Sequence, residues 1–368
     1  LIISRYLTKE VMASLLGVTV VLLLIFLSNQ LVRYLSYAAS GKIAANLVMQ
    51  LMGFEIPYLL ALLLPLGLYL GIILAYGRLY ADSEMAVLNA CGFGPRKLLS
   101  ITGTLAIIIA AIVMVLMLWV NPIIAEKRNK GIAQHNMLDT LQPGRFQVIN
   151  GGRWVVYVEE ISRNRQRASN IFIAEEQPHD DNDAWVVVSA AQGYQAKNVI
   201  DNGNFIVAAD GFRYDGTPGL NAYKIMQFKK YGVRLPEANF DTVREEQETL
   251  PTAKLWQNYN NPDAAAELQW RLAIPVTVLV LALLAVPLSQ VRPRQGRYSH
   301  LVPAILLYII YVNLLFVARN WIEQKMVPSM LAMWLVHSVL LCIAIVMLVI
   351  QQRYQARPFP RIFARKAV

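Results

Sequence analysis

Charge is what this sequence has least of: Asp, Glu, Lys and Arg make up 16% of its 368 residues, while 56% are hydrophobic. A soluble domain carries about 25% charged and roughly 45–50% apolar residues. Disorder, a collagen-like repeat and an ordinary cytosolic enzyme are therefore excluded. Cysteine is nearly absent, with Cys91 and Cys342 the two in the chain. Neither lies within residues 126–260, so no disulfide can staple that stretch, and no zinc-ligand spacing exists. The four histidines form no His-Glu-x-x-His pair. There is no nucleophile elbow, and no Gly-x-x-x-x-Gly-Lys-Ser/Thr loop to cradle a nucleotide. A catalytic residue, a metal site and a bound cofactor are accordingly not expected, and the chain is read as no enzyme.

What is present is a set of long apolar runs. A helix needs about 20 mostly apolar residues to cross the roughly 30 Å hydrocarbon core of a bilayer. Six stretches qualify: Val11–Val32, Ile56–Gly77, Leu98–Ala125, Leu272–Val291, Tyr298–Ala318 and Met326–Gln352. None contains Asp, Glu, Lys or Arg, and Glu55 sits at a boundary. The first run lacks a cleavage pattern and is too long for a signal peptide, so it is expected to be retained. Basic residues in short loops mark the cytoplasmic side. One set of loops and termini holds thirteen: Arg5, Lys9, Arg78, Arg96, Lys97, Arg292, Arg294, Arg297, Arg353, Arg357, Arg361, Arg365 and Lys366. The alternate set holds four: Arg33, Lys42, Arg319 and Lys325. Both termini are therefore expected in the cytoplasm. Residues 123–267 hold 16 basic and 19 acidic side chains, against 18 and 5 in the rest. The basic excess thus follows the membrane part, which topology explains better than nucleic acid does.

The stretch of about 145 residues between the third and fourth runs falls on the opposite side. Short β-branched and aromatic runs recur there: Arg145–Ile149, Arg153–Val158, Asn170–Ala174, Ala184–Ser189, Gln195–Ile200, Asn204–Ala209 and Tyr223–Phe228. Asn150-Gly151 and Asn202-Gly203 are hairpin signals, because primed turns need positive φ. Seven or eight short strands predict a sandwich or jelly roll. The fold class is therefore an α-helical membrane protein with six transmembrane helices plus an all-β, jelly-roll-like domain. Residues 1–125 hold the first three spans, 126–260 the β domain with helical stalks, and 261–368 the last three spans and a basic tail. Asn261 caps and Pro262 starts the helix leading into the fourth span.

Carboxylates inside the spans, the usual proton relay of a pump, are missing. Uphill transport would then draw on a partner, as in the permease of an ABC-type assembly. The loop after the second run sharpens this. It carries Asp82, Ser83, Glu84, Met85 and Leu88, with Gly92 and Pro95 as stop signals. Asp82 or Ser83 can cap a short helix near residues 82–91, and Met85, Val87, Leu88 and Cys91 give it an apolar side. Such a helix suits insertion into a groove of a motor subunit. An interfacial helix whose Glu84 merely complements the dipole is the plainer reading.

At these residues the sequence resembles the LptF/LptG family of lipopolysaccharide export permeases. The resembling blocks are Ile3-Ser4-Arg5-Tyr6-Leu7, Gln30-Leu31-Val32-Arg33, Leu79 through Met85, Ala90-Cys91-Gly92, and Val286 through Arg297 with its Pro-Arg-Gln-Gly-Arg segment. The resemblance implies an inner-membrane permease subunit, with the β domain periplasmic, that extracts lipopolysaccharide and passes it through that domain toward the outer membrane. It implies as partners a sister permease LptG, a cytoplasmic ATPase dimer LptB, and the periplasmic bridge proteins LptC and LptA. ATP would be used by the ATPase alone. Glu84 matches the family's coupling-helix acid, and Asp82, Ser83, Met85 and Leu88 surround it. At Gln30 relatives can carry Lys, so one basic contact to lipid is absent here.

Arg33 directly follows the first run and Arg319 the fifth. Arginine can clamp a phosphate with two parallel hydrogen bonds, which makes both substrate-binding candidates. Alternatively both snorkel to phospholipid headgroups. In the β domain, Trp154 through Val158 and Trp185 through Val188 are apolar at every position, so both strand faces avoid water. Trp154, Val156, Phe205 and Ile206 are the conduit candidates, with a filled sandwich as the alternative. A mechanotransmitting subunit that conducts no lipid, and a membrane-anchored scaffold without a motor, are the competing functions.

Overall fold

The computed structural model describes residues 2–39, 43, 45–134, 141–149, 153–162, 167–177, 184–197, 204–217, 223–234, 247–290 and 301–355. The two Asn-Gly turns, Lys42, the Pro-Arg-Gln-Gly-Arg segment and the basic tail beyond 355 lie outside them. The helices are α1 (Ile2–Ala39), α2 (Val48–Ala81), α3 (Glu84–Ala90), α4 (Pro95–Val115), α5 (Asn121–Gln134), α6 (Thr252–Gln257), α7 (Pro262–Leu288), α8 (Leu301–Glu323) and α9 (Ser329–Gln355). Among the described residues, six helices are long and apolar enough to cross a membrane: Ile2–Ala39, Ala45–Ala81, Pro95–Gly131, Pro262–Leu288, Leu301–Glu323 and Ser329–Gln351. Each predicted run falls mainly on one of them. The chain divides into two units, residues 1–27, 55–125 and 246–368, and residues 28–54 and 126–245.

In the first unit α7 packs against α4, α8 and α9. It is buried nearly all round, as a helix in the middle of a bundle is, and apart from Glu267, Gln269, Arg271 and Thr277 the residues it buries are apolar. Its small residues, Ala264 through Ala266, Ala273, Ala282 and Ala285, are all buried and let neighbours approach closely. Asn261 caps it through its side chain, which accepts from the Asp263 N–H at 3.0 Å, and Pro262 starts it, as predicted. Between α4 and α5 lies one π turn, Leu116–Val120. Such a turn loosens the carbonyl ladder. The Thr252 hydroxyl donates to the Leu118 carbonyl at 2.7 Å, fastening the returning chain there.

The β unit is one antiparallel sheet in sequential order, β1 (Gln147–Ile149), β2 (Trp154–Ile161), β3 (Arg167–Gln177), β4 (Ala184–Lys197), β5 (Asn204–Gly216) and β6 (Tyr223–Arg234). Among the described residues six strands stand where seven runs were predicted, because Ala184–Ser189 and the described part of Gln195–Ile200 belong to one strand, Ala184–Lys197. The joining residues Ala190 through Tyr194 include Gly193, where a Cβ would lie 2.1 Å from the Ile171 Cδ1. Glycine is there because the Ile171 side chain occupies that space. The order is a meander in which each strand pairs with its sequence neighbours. Glu159-Glu160, Ser169-Asn170, Ala191-Gln192 and Lys229-Lys230 are successive exposed pairs at matching rows of the ladder. In the same corner Asn170 (φ 48°) and Asp210 (φ 54°) adopt the left-handed region that Asn and Asp tolerate best. Beyond the corner the inward parity shifts by one, so Trp154, Val156, Val158, Ile171 and Ile173 share a core with Ala168, Ile206, Ala208 and Val233.

Candidate functional site

The end of α2 turns into α3 through Asp82 and Ser83. The Asp82 N–H donates to the Arg78 carbonyl at 2.9 Å and the Ser83 N–H to the Tyr80 carbonyl at 3.2 Å. Ser83 takes a left-handed φ of 61°, and its side chain makes no capping bond. The predicted side-chain cap is therefore replaced by the Ser83 carbonyl, which accepts from Ala86 and Val87. The predicted stop is present: Gly92 has φ 82°, its N–H reaches the Asn89 carbonyl, and the Phe93 N–H reaches Leu88. These two bonds close a helix end that needs a residue free to adopt positive φ. The expected apolar side divides in two. Met85 is buried at 2% exposure and Leu88 packs on the bundle core, whereas Val87 and Cys91 are exposed. Met85 and Leu88 thus fasten α3 to its own bundle. The surface left for a partner carries Glu84, Val87, Ala90 and Cys91. Glu84 is exposed, and its Oε2 accepts from the Tyr6 hydroxyl at 3.0 Å.

Arg319 stands in a different setting. It is 4% exposed; its Nη2 donates to Glu267 Oε2 at 2.9 Å and its Nε to Glu323 Oε1 at 3.1 Å. Glu267 also takes the Arg271 Nε at 2.7 Å on its other oxygen. Two buried arginines and two carboxylates therefore neutralise one another. Arg271 spends its remaining donors on the Leu250, Gln247 and Glu248 carbonyls and the Thr252 hydroxyl, tying the returning chain to α7. The guanidinium of Arg319 lies 5.3 Å from the Trp270 ring, a distance at which a cation is attracted to the ring face. These pairs use two of the five N–H donors of Arg319, and its burial, more than a lack of donors, separates it from an open anion site.

Arg33, near the end of α1, is exposed and has no hydrogen-bonding partner among the described residues. Its five donors are open to an anion. In the β unit Trp154, Val156 and Ile206 are buried in one core, at 8%, 1% and 0% exposure. Phe205 pairs with Arg234 in the ladder, one residue out of step with Ile206. Val155 and Tyr157 are half-buried on the other face, where Phe146 stacks 4.7 Å from Tyr157 and 6.1 Å from Phe172. One face of this strand is buried in a core, and the other is half-buried under an aromatic cluster whose Phe146 is itself exposed, so the expected second dry face is only partly sheltered.

A family profile described as lipopolysaccharide export system permease LptF/LptG matches residues 5–349. The chain belongs to this family. The lipopolysaccharide export system permease protein LptF of Escherichia coli (strain K12) is 33% identical to it over 357 residues, 94% of each chain. The LptF proteins of Escherichia coli O157:H7 and Shigella flexneri match to the same extent. With six apolar helices of membrane-crossing length, this member of the LptF/LptG family is a multi-pass inner-membrane protein.

Within that permease frame, the residues that sequence reading missed are Glu267, Arg271 and Glu323. The signal was available: Glu267 and Arg271, like Arg319 and Glu323, are four apart, the spacing at which opposite charges meet on a helix.

Proposed function

We propose that this chain is the permease subunit of an ABC-type transporter that extracts lipopolysaccharide from the inner membrane and passes it through its own β domain toward the outer membrane. Family membership carries this reading. The absence of a nucleotide-binding loop supports a separate ATPase, and the exposed Glu84 on a short, anchored helix supports docking of that subunit. The ATPase dimer LptB, the sister permease LptG, and LptC and LptA as recipients complete the machine. The chain itself binds no cofactor. Both termini and α3 face the cytoplasm and the β domain faces the periplasm, a placement supported by the thirteen-to-four bias of basic residues. Arg33 receives a phosphate of the lipid, and Arg319 does so through the donors that its pairs with Glu267 and Glu323 leave over.

The burial of Trp154, Val156 and Ile206 in one core favours a second reading, in which the β domain is moved by the motor and conducts no lipid. Photo-crosslinkers at Trp154 and Val156, and at Val155 and Tyr157, separate the two. ATP-dependent lipopolysaccharide adducts at Trp154 and Val156 support conduction. Adducts at neither pair, with capture retained at Arg33, support the mechanical reading. Single cysteines at Arg96 and Asp210, with Cys91 and Cys342 replaced, check the placement in spheroplasts. An impermeant thiol reagent should label the second and spare the first.

A further inference from the structure

The first helix is fastened both to α2 and to α3, the proposed coupling helix. At its start, Tyr6 donates to Glu84 on α3 at 3.0 Å, and Glu10, one turn on, pairs with Arg78 at the end of α2 at 2.7 Å. These four side chains face one another. Along its length, α1 buries one stripe, Leu7, Val11, Leu15 and Thr19, each four residues from the next. Opposite that stripe α2 carries Gly67 and Gly71. A Cβ on Gly67 would lie 2.1 Å from the Thr19 Oγ1, and one on Gly71 would lie 2.9 Å from the Leu15 backbone nitrogen. Small residues four apart let two membrane helices meet backbone to backbone. On the far side, Met85 of α3 joins the core that holds Leu7 and Val11.

From this we infer that α1, α2 and α3 move as one body, with Tyr6, Glu10 and Arg78 as positioning residues that carry motion of the coupling helix to the first span. The inference rests on the proposed docking at α3 and adds its route. Glu84 can serve both ends at once. Its Oε2 holds Tyr6, and its Oε1 has no partner among the described residues, leaving one acceptor for a basic side chain of the ATPase.

The test uses the full complex of this chain, the sister permease and the ATPase in liposomes, with lipopolysaccharide as the probe. Spin labels at Lys9→Cys and Asn89→Cys, with Cys91 and Cys342 replaced, report the distance between α1 and α3. One unchanged distance with and without trapped ATP is expected. A shift of about one helical turn, roughly 5.4 Å, would overturn the proposal. In the same complex Tyr6→Phe with Arg78→Gln should lower the lipid moved per ATP hydrolysed at least about threefold, with recovery of the ATPase retained. An unchanged ratio would equally overturn it. Glu84→Ala is the parallel control. If it loses the ATPase while the paired variant leaves the ratio intact, docking stands and the route fails.

Discussion

Arg33 and Arg319 occupy the same place in the sequence pattern, each just past an apolar run, yet they differ in almost every physical respect. Arg33 is exposed, with its donors open; Arg319 is buried, shares Glu267 with Arg271, and rests against Trp270. A basic residue at a span end is thus either an open cation or one arm of an internal neutral cluster. The counter-ion decides which, and for Arg319 it comes from Glu267, 52 residues earlier in the chain.

The largest expected contrast is in stability. Glu267→Ala leaves two buried arginines short of a carboxylate, and breaking a buried pair in this way costs about 3–5 kcal/mol. Arg33→Ala should stay within about 0.5 kcal/mol, as surface changes do. Thermal unfolding in detergent, followed by size-exclusion recovery, measures both. Equal midpoints would erase the distinction. Glu84→Ala extends the comparison to a carboxylate turned outward. It should leave the chain's own unfolding in place but weaken the ATPase complex, since truncating one partner of a desolvated charge pair costs about 2–5 kcal/mol. Pull-down of the ATPase at graded salt reads this, and unchanged recovery would remove Glu84 from the interface.

Lipid loading separates the arginines in the other direction. Arg33→Glu should cut lipopolysaccharide crosslinking at the first span about tenfold, near 1.4 kcal/mol, and Arg33→Lys less, because lysine keeps the charge without the two-pronged geometry. Arg319→Lys should act mainly through stability. Crosslinking that follows Arg319 and ignores Arg33 would reverse their roles. Salt gives the smallest effect. Raising it to about 1 M shortens the screening length to roughly 3 Å and should weaken capture at the exposed Arg33 while leaving the unfolding midpoint set by Glu267 nearly unmoved.

The membrane plan was readable from residue types alone, because the cost of burying charge in hydrocarbon writes long uninterrupted runs into a sequence. The turn chemistry at Gly92, Asn261 and Pro262 was readable for a local reason, the backbone and capping preferences of those residues. The inside of the β domain was half readable. The all-apolar Trp154 through Val158 implied two dry faces, but only one is buried, and which one depends on a corner where Asn170 and Asp210 turn left-handed. No period-two pattern carries that parity shift. The division of α3 into an anchoring Met85 and an exposed Val87 depends on where α3 meets its own bundle. The cluster around Arg319 was hidden differently. Arg271 and Glu267 lie outside the short loops whose charges set the topology, and their four-residue spacing is the local mark of the pair.

Native mass spectrometry of the gently purified inner-membrane complex tests the export reading most directly, since it weighs lipid and partners together. The account predicts one assembly containing this chain, its sister permease, two ATPase subunits and bound lipopolysaccharide, with the lipid lost on adding ATP. A chain that comes off the membrane intact with neither the ATPase nor lipopolysaccharide would contradict it.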